Sequence, residues 1–125
     1  MTIFFQISSK LSVLVIFFSF LMNFGYSQEA KIDGELKKWH KVTLSFEGED
    51  LSEDDASNPF LNYRLNVTFK HKNKTYIVPG FYAADGNAAE TSATAGKVWQ
   101  VRFMPDEVGE WQYKVSFRKG ENIAV

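Results

Sequence analysis

Beyond residue 38, apolar and polar positions alternate with a period of two over most of the chain. In residues 39–46, His40, Val42, Leu44 and Phe46 share one face, while Lys41, Thr43 and Ser45 share the other. Residues 63–70 repeat the pattern, setting Tyr63, Leu65, Val67 and Phe69 against Arg64, Asn66, Thr68 and Lys70. Such alternation predicts strands with one face buried and one face wet. The polar run His71-Lys72-Asn73-Lys74 predicts a hairpin loop into a strand over 75–78, ended by Pro79-Gly80. Trp99, Val101 and Phe103 define a further strand, and Trp111, Tyr113, Val115 and Phe117 another. Between them, residues 105–110 are dense in turn formers. Residues 29–36 have room for a short edge strand, and residues 47–59 and 83–96 carry no strand pattern. No segment keeps a helical period over three turns, so the predicted fold class is all-β.

The pattern changes in the first 27 residues. Lys10 is the only charge there, and a short apolar run follows over 11–22, with Gly25 and Ser27 behind it. This layout predicts a signal peptide over 1–27 that is cleaved before Gln28. A spanning helix needs about 20 apolar residues, more than this interrupted run supplies. The expectation is therefore a secreted or periplasmic protein with no membrane attachment after cleavage. The absence of cysteine rules out a lipid-modified cysteine and disulfide staples alike.

Residues 28–125 then form one domain of 125 − 27 = 98 residues, with net charge 13 − 15 = −2. That balance provides no electrostatic attraction for nucleic acid. The length suits a single small core and is far short of the ~250 residues of a barrel enzyme. Immunoglobulin-type sandwiches use about seven strands in ~100 residues. Five clear strands, and a chain that stops at Val125 soon after one of them, predict an immunoglobulin-like β-sandwich incomplete at its C-terminus. An apolar edge would be left for a partner.

The candidate chemistry is sparse. Glycosidases need two carboxylates about 5–10 Å apart across a cleft. Here the acids crowd into Glu47-Gly48-Glu49-Asp50 and Glu53-Asp54-Asp55, which read as solvated loop and match no calcium-loop spacing. His40 and His71 stand alone without metal spacing, so no catalytic residue, metal or cofactor is assigned. The small-residue loop over 83–93 follows the aromatic pair Phe81-Tyr82. It reads equally as a solvent loop or as a docking surface built from Phe81, Tyr82, Asp85, Asn87 and Glu90. With Trp99, Trp111 and Tyr113 on inward faces, Trp39, Tyr82 and Tyr26 are the rings left exposable, and Trp39 with Tyr82 is the candidate pair to stack on a sugar. Burial of Trp39 under a neighbouring segment is the stronger expectation. Glu107-x-Gly109-x-Trp111-x-Tyr113 is similar to the acidic-x-small-x-Tyr-x-Cys corner of immunoglobulin-like domains. In that reading the Trp111 indole bonds back to the preceding backbone and Tyr113 enters the core. Two ordinary core aromatics after a turn is the plainer alternative.

Five blocks of residues, in order, carry a wider resemblance. They are the stretches over 34–44, 58–65, 76–86, 88–93 and 105–111, including Asn58-Pro59-Phe60, Pro79-Gly80-Phe81-Tyr82 and Glu107-Val108-Gly109-Glu110-Trp111. Together they resemble the N-terminal domain of unknown function, DUF5060 type, of secreted bacterial glycoside hydrolases. The resemblance implies a non-catalytic β-sandwich that supports or orients a (β/α)-barrel catalytic domain acting on polysaccharide. It carries no catalytic residue onto this chain, in which no barrel follows. A free-standing carbohydrate-binding module and an inactive fragment are the alternatives.

Overall fold

Each sheet of a two-layer protein has one apolar face to bury, and the period-two segments meet that need by packing face to face. The computed structural model describes residues 2–7 and 30–125. Its strands are β1 (Thr2–Ile7), β2 (Lys31–Asp33), β3 (Val42–Ser52), β4 (Tyr63–His71), β5 (Lys74–Pro79), β6 (Phe81–Tyr82), β7 (Ala95–Phe103) and β8 (Gly109–Lys119). Single-turn helices α1 (Pro59–Asn62) and α2 (Ala88–Thr91) interrupt them. Among the described residues the strands form two antiparallel sheets, ordered β1-β8-β4-β5 and β2-β3-β7-β6. The protein is an all-β sandwich.

The inward faces follow the alternation closely. Tyr63, Leu65, Val67 and Phe69 of β4, Val42, Leu44 and Phe46 of β3, and Trp99, Val101 and Phe103 of β7 are all buried. The two layers meet through aromatic rings. Phe69 stacks on Phe103 at 4.0 Å and 6°, and Trp111 meets Phe103 edge-on at 5.1 Å. Tyr63 and Phe117 close on Trp99 at 5.7 and 5.0 Å. Such pairs add roughly 0.5–1.5 kcal/mol each beyond the area they bury. On β8 only Trp111 and Tyr113 are fully inside, whereas Val115 and Phe117 are half-buried.

Several expectations need correction. β3 starts at Val42, not at residue 39, because residues 37–40 form a turn in which Trp39 takes φ 63° and its N–H donates to the Pro105 carbonyl. His40 is consequently exposed and does not share the inward face. β3 also runs to Ser52, through a stretch expected to lack strands. A register shift between Glu47 and Leu51 releases the polar residues outward and returns Leu51 to the core. Pairing of Leu51 with Gly96 and Ser52 with Ala95 starts β7 four residues before Trp99. The edge strand foreseen within 29–36 is present as β2. One strand had no counterpart: β1 lies inside the predicted leader and pairs with β8, while residues 8–27 of that leader fall outside the described residues.

The helical turns have local causes. Asn58 caps α1 by accepting from the Phe60 N–H at 2.8 Å, and Pro59 occupies its first turn, where a missing N–H costs nothing. Pro79-Gly80 carries the chain from the first sheet to the second. The Gly80 N–H donates to the Leu65 carbonyl at 2.7 Å, and an added Cβ would fall 2.4 Å from Leu65 Cδ2. The crossing is therefore reserved for glycine.

Phe69→Ala should cost about 3–5 kcal/mol in urea unfolding, because it removes the ring that joins the sheets. Ile77→Ser, at a site 67% exposed, should change stability by no more than about 0.5 kcal/mol.

Candidate functional site: an apolar cleft and a polar corner

Two regions gather side chains whose arrangement the core alone does not require. The first is a cleft of about 240 Å³ where α1 faces the β5–β6 crossing. Pro59, Phe60, Tyr63, Leu65, Phe81 and Tyr82 line it. The cap at Asn58 turns Phe60 and Leu61 outward, and both are exposed, as is Phe81. Phe60 meets Tyr82 edge-on at 5.8 Å, and the Arg102 guanidinium lies 5.1 Å over the Phe81 ring. The result is an open cleft whose exposed rings sit among the polar side chains of Arg64 and Asn66, with Arg102 over Phe81.

The five residues predicted to dock do not converge there. Phe81 is at the cleft mouth. Tyr82 is 7% exposed, and its hydroxyl donates to the carbonyls of Leu51 and Gly96 at 2.7 and 3.0 Å. Burial pushes that phenol up from its ordinary range. Asp85 is turned back into its own loop, accepting from the Thr91 hydroxyl at 2.7 Å and the Asn87 N–H at 2.8 Å. Those bonds, the Thr91 one foremost, hold its carboxyl below the usual range. Asn87 heads α2 and is exposed, and Glu90 points to solvent from the same turn. Asp85 is thus a loop staple, and docking through Tyr82 is sterically closed.

The proposed stacking pair is also separated. Trp39 is 61% exposed, against the expectation of burial, with Lys38 Nζ 5.7 Å over its ring. It lies near the Val42–Phe103 end of the β3–β7 ladder, whereas Tyr82 reaches the Leu51–Gly96 end. One exposed ring and one buried ring at opposite ends cannot make a common platform.

The second region is the β7–β8 corner. The Trp111 indole N–H donates to the Glu107 carbonyl at 3.0 Å, and Tyr113 is buried behind it. This is the back-bond expected from the Glu107-x-Gly109-x-Trp111-x-Tyr113 pattern. Gly109 takes φ 118°, and an added Cβ would lie 2.8 Å from His71 Cε1.

The corner has further members that pattern reading missed. His71 is buried and stacks on Trp111 at 5.0 Å. Its Nδ1 donates to the Glu110 carbonyl at 2.7 Å, and its Nε2 lies 3.2 Å from Glu107 Oε2. Lys74 Nζ bonds Asp106 Oδ2 at 3.0 Å and Glu107 Oε1 at 2.9 Å, and the Tyr76 hydroxyl donates to Asp106 at 2.7 Å. Tyr76 and then Lys74 hold the Asp106 carboxyl below its ordinary range, and Lys74 does the same for Glu107. The β4–β5 hairpin is thereby tied to the connection between the sheets. The only sequence signal was charge in two turns more than 30 residues apart.

Among the described residues no three His, Asp or Glu side chains gather in a way that could hold a metal. Asp106 and Glu107 both pair with Lys74, while Asp106 Oδ1 and His71 Nε2 are buried without a hydrogen-bond partner.

Residues 35–118 match the family described as Domain of unknown function (DUF5060). The chain belongs to this family. No curated protein and no solved structure matches it. The matched span of the DUF5060 domain runs from β3's leading turn to the end of β8 and takes in both the cleft and the corner.

Trp111→Phe should destabilise the DUF5060 domain by about 1–2 kcal/mol, since the Glu107 carbonyl loses its donor. Gly109→Ala should cost a similar amount through backbone strain at positive φ, both read from thermal midpoints. Asp106 and Glu107 have lower pKa values folded than unfolded. Their contribution is complete above about pH 4.5 and is lost as pH falls through the lowered values. Between about pH 4.5 and 2, stability should therefore fall more steeply in the parent than in Asp106→Asn. Parallel acid slopes would remove the corner carboxylate from the account.

Proposed function

We propose that this DUF5060 domain is the non-catalytic N-terminal module of a secreted polysaccharide-degrading glycoside hydrolase, supporting or orienting a (β/α)-barrel catalytic domain. Export is by the leader over 1–27. The observation that carries the docking part is the open apolar surface of Phe60, Leu61 and Phe81. Two exposed rings at one cleft, Phe60 and Phe81, with the exposed Leu61 next to Phe60 in α1, are the kind of surface that a neighbouring module covers. Arg102 at the rim supplies one charge to orient that neighbour. The five motif blocks support the glycoside hydrolase context, and two of them, 58–65 and 76–86, build the cleft itself.

Cross-linking of the exported protein in its native culture medium should join residues near Phe60 and Phe81 to a glycoside hydrolase barrel. Phe60→Ser combined with Phe81→Ser should weaken that association at least about tenfold without unfolding the sandwich. Cross-links confined to the domain itself would sink the docking reading.

A second reading, a carbohydrate-binding module acting alone, draws on the exposure of Trp39. Retardation on gels of plant or algal polysaccharide that Trp39→Ala abolishes would favour it, and free migration on all of them would dismiss it.

A further inference from the structure

The outer face of the β1-β8-β4-β5 sheet carries a charge that the chain as a whole does not, since the net charge of the chain is −1. Leu65, Val67 and Phe69 turn inward on β4, which leaves Arg64, Asn66, Thr68 and Lys70 facing outward. Trp111 and Tyr113 turn inward on β8, which sets Lys114, Ser116 and Arg118 on the same outer face. Arg64, Lys70, Lys114 and Arg118 are all exposed, and none of them pairs with an acid among the described residues. Among those residues Glu110, at the start of β8, is the only acid at an outward position of β4, β5 or β8. Glu47, Glu49, Asp50, Glu53, Asp54 and Asp55 lie in the bulged strand of the other sheet and the turn behind it.

These cations are set against one another. Arg64 stands directly opposite Arg118 in the β4–β8 ladder, and Lys70, opposite Gln112, is the diagonal neighbour of Lys114. Like charges facing across a ladder destabilise a sheet, and no acid here offsets them. An anion laid over the ladder turns that repulsion into attraction. Paired guanidiniums suit a carboxylate, whose two oxygens match the fork of N–H groups. The rows between the cations narrow the choice of polyanion. Asn66 opposite Ser116, with Thr68 and Gln112 beside the lysines, offers amides and hydroxyls on a flat surface. No aromatic side chain stands at an outward position of β4, β5 or β8, so these strands lack the rings on which nucleic-acid bases stack. Of the exposed large apolar side chains only Ile77 lies on these outward positions, too little to enter a membrane surface.

We propose that this sheet face binds an acidic polysaccharide, with Arg64 and Arg118 holding a carboxylate and Lys70 and Lys114 holding the chain further along the ladder. The polysaccharide part rests on the functional reading above, and the anionic part rests on this face. Lys114 lies four residues from Arg118, about 13 Å along the strand, so the ligand is a chain and not a single sugar. Arg64 also lines the cleft of Phe60 and Phe81, which sets the held chain beside the surface assigned to the enzyme module.

The full chain should bind immobilised polygalacturonate and be released as salt rises past about 0.1 M, where surface charges are screened. Neutral dextran should not retain it. Arg64→Gln with Arg118→Gln should weaken binding at least about tenfold. Lys31→Gln with Lys97→Gln removes as much charge from the other sheet and should change binding by no more than about twofold. Equal losses in the two double variants, or no retention of the parent, overturn the proposal. Retention on dextran sulfate but not on polygalacturonate overturns the carboxylate. Tighter binding to double-stranded DNA or to phosphatidylserine vesicles overturns the polysaccharide. All four replaced side chains are exposed, and relief of the Arg64–Arg118 repulsion should raise the thermal midpoint of the first variant, so lost folding does not imitate lost binding. Polygalacturonate binding without a cross-linked hydrolase sustains this site and sinks the docking reading. Cross-links to a hydrolase without polygalacturonate binding do the reverse.

Discussion

The stacking of Phe69 on Phe103, with ring centroids 4.0 Å apart, connects β4, an inner strand of one sheet, to β7, an inner strand of the other. No cysteine is available to bridge them, so the sandwich is held by what its inward faces can bury. Trp111 packs on the edge of this pair, Tyr76 approaches it from β5, and Phe5 approaches from β1. β1, β4, β5, β7 and β8 therefore each contribute a ring to it. Loss of any one is felt across both layers, because close-packed interiors do not refill a vacated ring.

The two ends of the sandwich are finished differently. At the corner end, Lys74 pairs with Asp106 and Glu107, His71 Nε2 faces Glu107, and the Trp111 indole fastens the turn. That network ties the β4–β5 hairpin to the connection between the sheets. Towards the other end, the Tyr63 hydroxyl and Lys119 both bond Glu49, and they pin the bulged end of β3 to the end of β8. Beside that pinned edge, α1 leaves Phe60 and Leu61 uncovered. The corner end is closed by these bonds, and the cleft side keeps exposed apolar side chains.

Period-two alternation was enough to assign the inward faces of β4 and β7, since a strand with one buried face has only one way to place Leu65, Val67 and Val101. The Trp111 back-bond was also readable, because Glu107, Gly109 and Trp111 lie within five residues and their spacing carries the geometry. α1 and α2 were not readable. A single turn has no period, and α1 is held by the Asn58 cap and Pro59. The extension of β3 was hidden by its bulge, which breaks the alternation where the strand continues.

The residues thus determined by themselves that the chain is all-β, which side chains of β4 and β7 turn inward, and that Trp111 bonds back at the corner, since these depend on neighbours a few positions apart. Tertiary structure decided the rest. It buried Tyr82 by giving its hydroxyl the carbonyls of Leu51 and Gly96, exposed Trp39 by turning the chain at residue 39, and brought Lys74 and His71 onto Asp106 and Glu107. It also seated Phe5 in the core from a segment whose sequence reads as leader. Each of these depends on residues about 10 to more than 100 positions apart along the chain, and no local pattern encodes which distant partner a side chain meets.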